Sequence, residues 1–189
     1  EMPFVGEGFD EVHIVHEPAA YPITKEEFVS LVSSNPDYDT LFTALTRIPF
    51  FQKIHRFDQE NKYHQFLLCE HTYMVYDYVN EYYEGEDKLV LQVAALFHDV
   101  GKPFCKVYKP LRETYSYFRH ENVSCQLACH FLTEVGFDES FIRDALAIIQ
   151  YHMLINYDEE RGPSTIYQMV GPDLLTKLYF FREGDRLAK

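Results

Sequence analysis

Three side chains in this sequence stand where burial by itself would be costly. His71 lies on the apolar stripe of residues 66–83, and His98 and Asp99 close a second segment, 88–98, that is apolar on almost every side. Burying an unpaired polar or charged group there costs several kcal/mol, so something must compensate. A metal ion does so directly, because neutral imidazole nitrogen and carboxylate oxygen are ordinary ligands of first-row metals. Being adjacent at a helix end, His98 and Asp99 can converge on one point as the helix unwinds. The concentrated charge of such an ion could capture a small anion. The competing reading is a buried His-Asp pair with a purely structural role.

These residues must be held by helices. In 66–83 the positions Leu67, Leu68, Met74, Val75, Tyr78, Val79 and Tyr82 recur at three- and four-residue steps, which predicts an amphipathic helix ending near Gly85. The run Leu89, Val90, Val93, Ala94, Ala95, Leu96, Phe97 predicts a helix buried on most sides. Upstream, Thr24 and Glu27 have capping-box spacing ahead of Phe28, Leu31 and Val32, and Asn35-Pro36 should stop that helix. Asp37 or Asp39 can cap the next, which Pro49 should end. Helices are expected at about 120–135, closed by Gly136, and at 139–154 behind Asp138. A short one from a Ser164 cap to Val170 and a last one over 173–188 should be separated by Gly171-Pro172-Asp173. Residues 1–22 carry too many Pro and Gly for a helix and read as an irregular lead-in. The helical period is lost over 104–118, where a hairpin or a long loop is expected. No repeat or composition shift marks a boundary, so one domain over 1–189 is expected.

Composition narrows the function classes. The 189 residues are 47% hydrophobic and 16% aromatic, enough for a full core, and their formal charge is −13. That excess of negative charge repels a phosphate backbone at long range and argues against long duplex nucleic acid as a partner. No run approaches the roughly 18 apolar residues of a membrane helix, and the first residues lack a signal-peptide pattern, so an intracellular, cytoplasmic protein is expected. Cys69, Cys105, Cys125 and Cys129 form no C-x-x-C pair and read as reduced thiols in or near the core. The aromatic content is compatible with a homodimer surface.

The order of the candidate ligands resembles the HD-domain metal-dependent phosphohydrolases. That family's pattern is a His on one helix, a His-Asp doublet on the next, further His residues downstream and a terminal Asp. It is met by His71, by His98-Asp99 with trailing Gly101-Lys102, by His120 in Phe118-Arg119-His120-Glu121, by His152 in Gln150-Tyr151-His152, and by Asp185 in Arg182-Glu183-Gly184-Asp185-Arg186. Gln59-Glu60-Asn61-Lys62-Tyr63-His64 followed by Glu70-His71-Thr72, and Phe118-x-His120-Glu121 followed by Ser124, are more closely similar to the HD domain attached to tRNA nucleotidyltransferases and its stand-alone relatives. The 5′-deoxynucleotidase branch resembles it less, because an acidic residue there stands three after the Asp of the doublet, where this chain has Lys102.

The resemblance implies an all-α HD bundle of about seven or eight helices. It implies one metal on His71, His98, Asp99 and Asp185, and in binuclear members a second on His120 and His152 with Asp99 bridging. Mixed His and carboxylate ligands suit Mn, Fe, Co, Ni or Zn better than Mg. The implied activity is phosphomonoesterase or 2′,3′-cyclic phosphodiesterase hydrolysis of a small nucleotide or an RNA 3′-end, with Asp99 and Lys102 as catalytic residues. Lys102, and after it Arg119, are candidate phosphate contacts, since cationic donors stabilise a phosphoryl transition state. His64 is a candidate substrate contact or a support for the ligands. Each has a structural rival. His120 and His152 could hold substrate in a one-metal site, Asp185 could pair with Arg182 or Arg186 on its helix, and Lys102 could be a helix-end cation. His13, His16, His55 and His130, and equally His64, could be structural or solvated. Two other classes stay open, a 5′-nucleotidase or triphosphohydrolase and a non-catalytic nucleotide- or partner-binding module.

Overall fold

The computed structural model describes residues 20–60, 64–157 and 161–189. Most of the expected lead-in, with His13 and His16, therefore lies outside the described residues, as do Asn61, Lys62 and Tyr63. The chain folds as a bundle of helices in the order α1 (Lys25–Ser33), α2 (Tyr38–Leu45), α3 (Pro49–Ile54), α4 (Leu68–Tyr82), α5 (Lys88–Phe97), α6 (His120–Val135), α7 (Glu139–Tyr151), α8 (Leu154–Tyr157) and α9 (Arg161–Leu187). The all-α class is met. The 104–118 excursion is a hairpin, with β1 (Val107–Lys109) antiparallel to β2 (Thr114–Ser116).

Local chemistry sets most boundaries. Thr24 Oγ1 accepts from the Glu27 amide while the Glu27 carboxylate accepts from the Thr24 amide, the expected box at α1. Asp37 caps α2 through the Thr40 amide and Asp138 caps α7 through that of Phe141. Three expectations need correction. Pro49 does not merely end the second helix, which stops at Leu45; it opens the short helix α3, because its fixed φ suits a first helical position. The helix expected to reach 154 stops at Tyr151, and α8 follows as a separate turn. The last two expected helices are one, α9, which begins at Arg161 and kinks at Gly171 (φ 83°, ψ 178°). The kink follows from Pro172, whose ring pushes the preceding residue out of the α region.

The core is aromatic. Phe28 of α1, Phe50 and Phe51 of α3, Phe97 of α5 and Phe131 of α6 are fully buried, with ring centroids of Phe97 5.1 to 5.5 Å from those of Phe50, Phe51 and Phe131. Such offset and edge-to-face pairs add about 0.5–1.5 kcal/mol each to the area they bury. This core clamps α5, which packs on α1, α4 and α7, while α9 closes over α4 and α7. Two glycines set the closest approaches. A Cβ on Gly101 would lie 2.4 Å from the His120 carbonyl oxygen, and one on Gly184 would lie 2.5 Å from Tyr78 Cδ1. The first lets the turn after α5 touch the start of α6, where Ser124 Oγ accepts from the Gly101 amide at 2.9 Å. The second lets α9 lie on α4.

Candidate metal centre

Five elements each end or turn at one buried point. His71 comes from the first turn of α4 and His98 caps α5, with Asp99 next. His120 is the first residue of α6, His152 caps α7, and Asp185 comes from the last turns of α9. All six are buried.

The rings are set by the carbonyls behind them. His98 Nδ1 lies 2.8 Å from the Ala95 carbonyl oxygen, His120 Nδ1 2.8 Å from that of Tyr117, and His152 Nδ1 2.5 Å from that of Ile149, in each case three residues back. His71 Nδ1 reaches the carbonyl oxygen of Ala188, 2.9 Å away. A carbonyl only accepts, so all four Nδ1 atoms carry hydrogen and each neutral ring turns a lone pair on Nε2 toward the centre.

Those lone pairs fall into two sets on either side of Asp99. His71 Nε2 is 3.1 Å from His98 Nε2, 3.4 Å from Asp99 Oδ2 and 3.1 Å from Asp185 Oδ1. His98 Nε2 is 3.3 Å from Asp99 Oδ2 and 3.6 Å from Asp185 Oδ1. On the far side, Asp99 Oδ1 is 2.9 Å from His120 Nε2 and 3.6 Å from His152 Nε2, and those two nitrogens are 3.3 Å apart. Each half groups one His pair with one oxygen of the same carboxylate.

The donor set fits metal ions. Atoms about 2.1 Å from one ion are about 3.0 Å apart along an octahedral edge and about 3.4 Å along a tetrahedral one, which brackets most of these spacings. Facing lone pairs at 3.1 and 3.3 Å repel unless a cation lies between them. Among the described residues Asp99 Oδ1 is buried without a hydrogen bond even though His120 Nε2 is 2.9 Å away, because two acceptors meet there. His71, His98 and Asp99 form one group able to hold an ion, and Asp99, His120 and His152 another.

Charge balance points the same way. Asp99 and Asp185 are buried carboxylates, and burial favours their neutral form. The neighbouring His98 and Lys102 outweigh it for Asp99, and His71 and His98 for Asp185, holding both well below the usual range. Conversely, burial works against a charge on His98, but Asp99 and Asp185 prevail and raise it to about 10, and they raise His71 in the same way. His152 is pushed down by burial. Without an ion, a proton on His98 supplies positive charge beside the two carboxylates.

The remaining candidates lie at different depths. Lys102 is buried, with its Nζ 2.7 Å from Asp99 Oδ2 and 2.9 Å from Gln59 Oε1, so two of its three protons are engaged and it is no solvated helix-end cation. His64 stacks edge-on against His71 at 5.4 Å between centroids, and its buried Nδ1 has no hydrogen-bond partner among the described residues. Burial, reinforced by Lys102, lowers its pKa to about 3. Arg119 is exposed just before His120, its guanidinium 5.4 Å over the Phe118 ring, and is not brought into the cluster. Arg186 bonds to Glu183 rather than to Asp185. His55 and His130 lie elsewhere, His55 against Phe42 and His130 hydrogen-bonded to Tyr21. Two residues given no role from the sequence also belong here. Gln59 holds Lys102, and the Tyr117 hydroxyl donates to the Gln59 carbonyl while the Tyr117 carbonyl takes His120. Both roles span 43 residues or more, or arise at a loop, so no periodic signal marks them.

Comparison with known families gives the centre its context. The HD domain model matches residues 68–169, which contain His71, His98, Asp99, His120 and His152. The chain belongs to the HD domain family. HD domains are most often metal-dependent phosphohydrolases. This HD domain is 30% identical over 103 residues to the CC-adding tRNA nucleotidyltransferase of Thermus thermophilus, covering 54% of the chain and 24% of that relative. It is 29% identical over 101 residues to the A-adding tRNA nucleotidyltransferase of Deinococcus radiodurans, covering 52% and 23%. The chain thus spans about a quarter of the length of the curated relatives it matches. No helix among the described residues is long and apolar enough to cross a membrane.

Proposed function

We propose that this HD domain, acting as one unit, is a metal-dependent phosphohydrolase of the cytoplasm that cleaves a phosphomonoester or 2′,3′-cyclic phosphodiester at a nucleotide or RNA terminus. The observation that carries the reading is Asp99, which offers one oxygen to His71 and His98 and the other to His120 and His152. His71, His98, Asp99 and Asp185 would hold one divalent transition metal, and Asp99, His120 and His152 a second. Bound there, metal supplies a hydrolytic nucleophile from water near neutral pH and neutralises charge on phosphoryl oxygens.

The protein's own groups do the rest. The carbonyls of Ala188, Ala95, Tyr117 and Ile149 keep the four imidazoles in one tautomer. Lys102, held by Gln59, keeps a third ammonium proton for a phosphoryl oxygen. His64, neutral at pH 7, presents a ring beside His71 as a substrate contact, and Arg119 stands at the rim for an anionic group. An RNA terminus is favoured because the two relatives are both tRNA nucleotidyltransferases.

The test is elemental analysis of the purified protein with a panel of 2′-, 3′-, 5′- and cyclic nucleotides assayed with Mn, Ni, Co or Zn and with chelator. Metal-dependent release of phosphate or opening of the cyclic ester is expected. Protein free of transition metal that hydrolyses none of the panel with any added ion overturns the proposal.

A further inference from the structure

Residues 102–119 reverse the charge of the molecule. They carry Lys102, Lys106, Lys109, Arg112 and Arg119 against the single acid Glu113, in a chain whose formal charge is −13. They also carry most of a continuous run of rings and cations. Tyr108 and Tyr115, paired across the hairpin, have centroids 5.3 Å apart. Lys106 Nζ lies 4.5 Å from the Tyr115 ring and 5.0 Å from that of Phe57, and it pairs with Glu60. Phe57 meets Tyr117 at 6.2 Å, and Lys102 Nζ lies 5.8 Å from the Tyr117 ring. The run starts in solvent at Tyr108, half exposed, and ends at the Asp99 partner Lys102.

Both legs of this excursion are rooted in the metal centre. One leaves from Lys102, and the other returns through Tyr117, whose carbonyl takes His120. The hairpin has strands of three residues, about 10 Å long at about 3.3 Å per residue. Its outer end bears Lys109 and Arg112, which form no ion pair among the described residues, and the fully exposed Leu111. Aromatic faces interleaved with cations on an otherwise repulsive surface are the chemistry of single-stranded nucleic acid binding, where rings stack bases and cations follow phosphates. A duplex offers its phosphates but not its base faces.

We propose that the 106–119 hairpin is a binding track for single-stranded RNA. Tyr108 stacks a base upstream of the terminal nucleotide, and Lys109 and Arg112 contact the phosphates of that strand. The proposal rests on the reading of the centre as a hydrolase of terminal phosphate esters, and it selects an RNA end over a mononucleotide as substrate.

The decisive experiment uses the full chain and a short 5′-fluorescent oligoribonucleotide bearing a 3′-phosphate, with binding followed by anisotropy in chelator so that no turnover intervenes. Tyr108→Ala is expected to weaken binding about 5- to 150-fold, while Tyr108→Phe, which keeps the ring, restores it. In the double variant Lys109→Glu/Arg112→Glu, the slope of log affinity against log salt should fall by about 1.4, the loss of two single-strand phosphate contacts. Hydrolysis of a mononucleotide by these variants, assayed with metal, should equal that of the parent. Unchanged RNA binding in both variants, equal affinity for duplex RNA, or preferential binding to anionic vesicles overturns the proposal. Hairpin-dependent RNA binding without hydrolysis by any metal form supports the track and removes the hydrolase reading instead, so the two fail separately.

Discussion

Each histidine of the centre gives its Nδ1 hydrogen to a backbone carbonyl, which leaves Nε2 facing Asp99 and Asp185, with its lone pair available whenever the ring is neutral. Among the described residues only Asp99 belongs to both halves, so its substitution should be the most damaging. Changing groups that merely orient ligands typically costs 10–100-fold in affinity or activity, and loss of the shared carboxylate should exceed that. Asp99→Asn is expected to lower kcat/KM more than about 100-fold and to reduce bound metal, read by turnover and elemental analysis together. Gln59 acts one step further out. Gln59→Leu removes the acceptor that holds Lys102 and should cost about 1–3 kcal/mol of stability in denaturant melts, with a fall in turnover but retained metal. The doublet His98-Asp99 was legible in the sequence because a charged group after an apolar helix demands a partner. Gln59 and Tyr117 were not, since their roles exist only once residues 43 and 58 apart have met.

At the scale of elements, the ligands are placed by how closely helices approach. Gly101 and Gly184 are the contact points, and the obstacles a methyl group would meet differ in kind. At Gly101 it meets the backbone oxygen of His120, and at Gly184 a tyrosine ring that can turn. Both Gly101→Ala and Gly184→Ala should destabilise by about 1–3 kcal/mol, the cost of overpacking, with Gly101→Ala the worse. Thermal melts of the two variants in matched metal check the order. Periodicity predicts α4 and α5 closely because each has a long apolar stripe. It failed at Pro49 and Pro172, since proline's φ is equally suited to opening a helix and to following a kink, and only packing decides. A hairpin and a long loop fit residues 104–118 equally in the sequence, because the strands are three residues long, too short for alternation to show.

At the scale of the molecule, the six buried candidate ligands come from five elements, so an ion held by them would cross-link the native state alone. Metal held at 100 times its dissociation constant adds about 2.7 kcal/mol to stability. Chelation should therefore lower Tm, and readdition of Mn, Ni or Co should restore it, as calorimetry can show. The thiols give an independent pH signature. Burial raises Cys105 to about 11 and Cys125 to about 12, from an ordinary 9.0. Folding then favours the neutral thiols. Their contribution is intact below pH 9 and is lost as pH rises through the folded values, because the unfolded chain releases these protons first. Denaturant midpoints should fall between pH 9 and about 11, and Cys125→Ala should flatten the fall.

The last helix of the bundle also imposes an order of events. Asp99, His120 and His152 are all present once α7 has been made, but His71 lacks both its carboxylate neighbour Asp185 and the Ala188 carbonyl that sets its tautomer until α9 is complete. During synthesis, when chains fold as they emerge, one half of the centre can therefore close well before the other. An ion held by His120, His152 and Asp99 would thus meet a partly built pocket, whereas one held by His71 and Asp185 would meet only the finished fold.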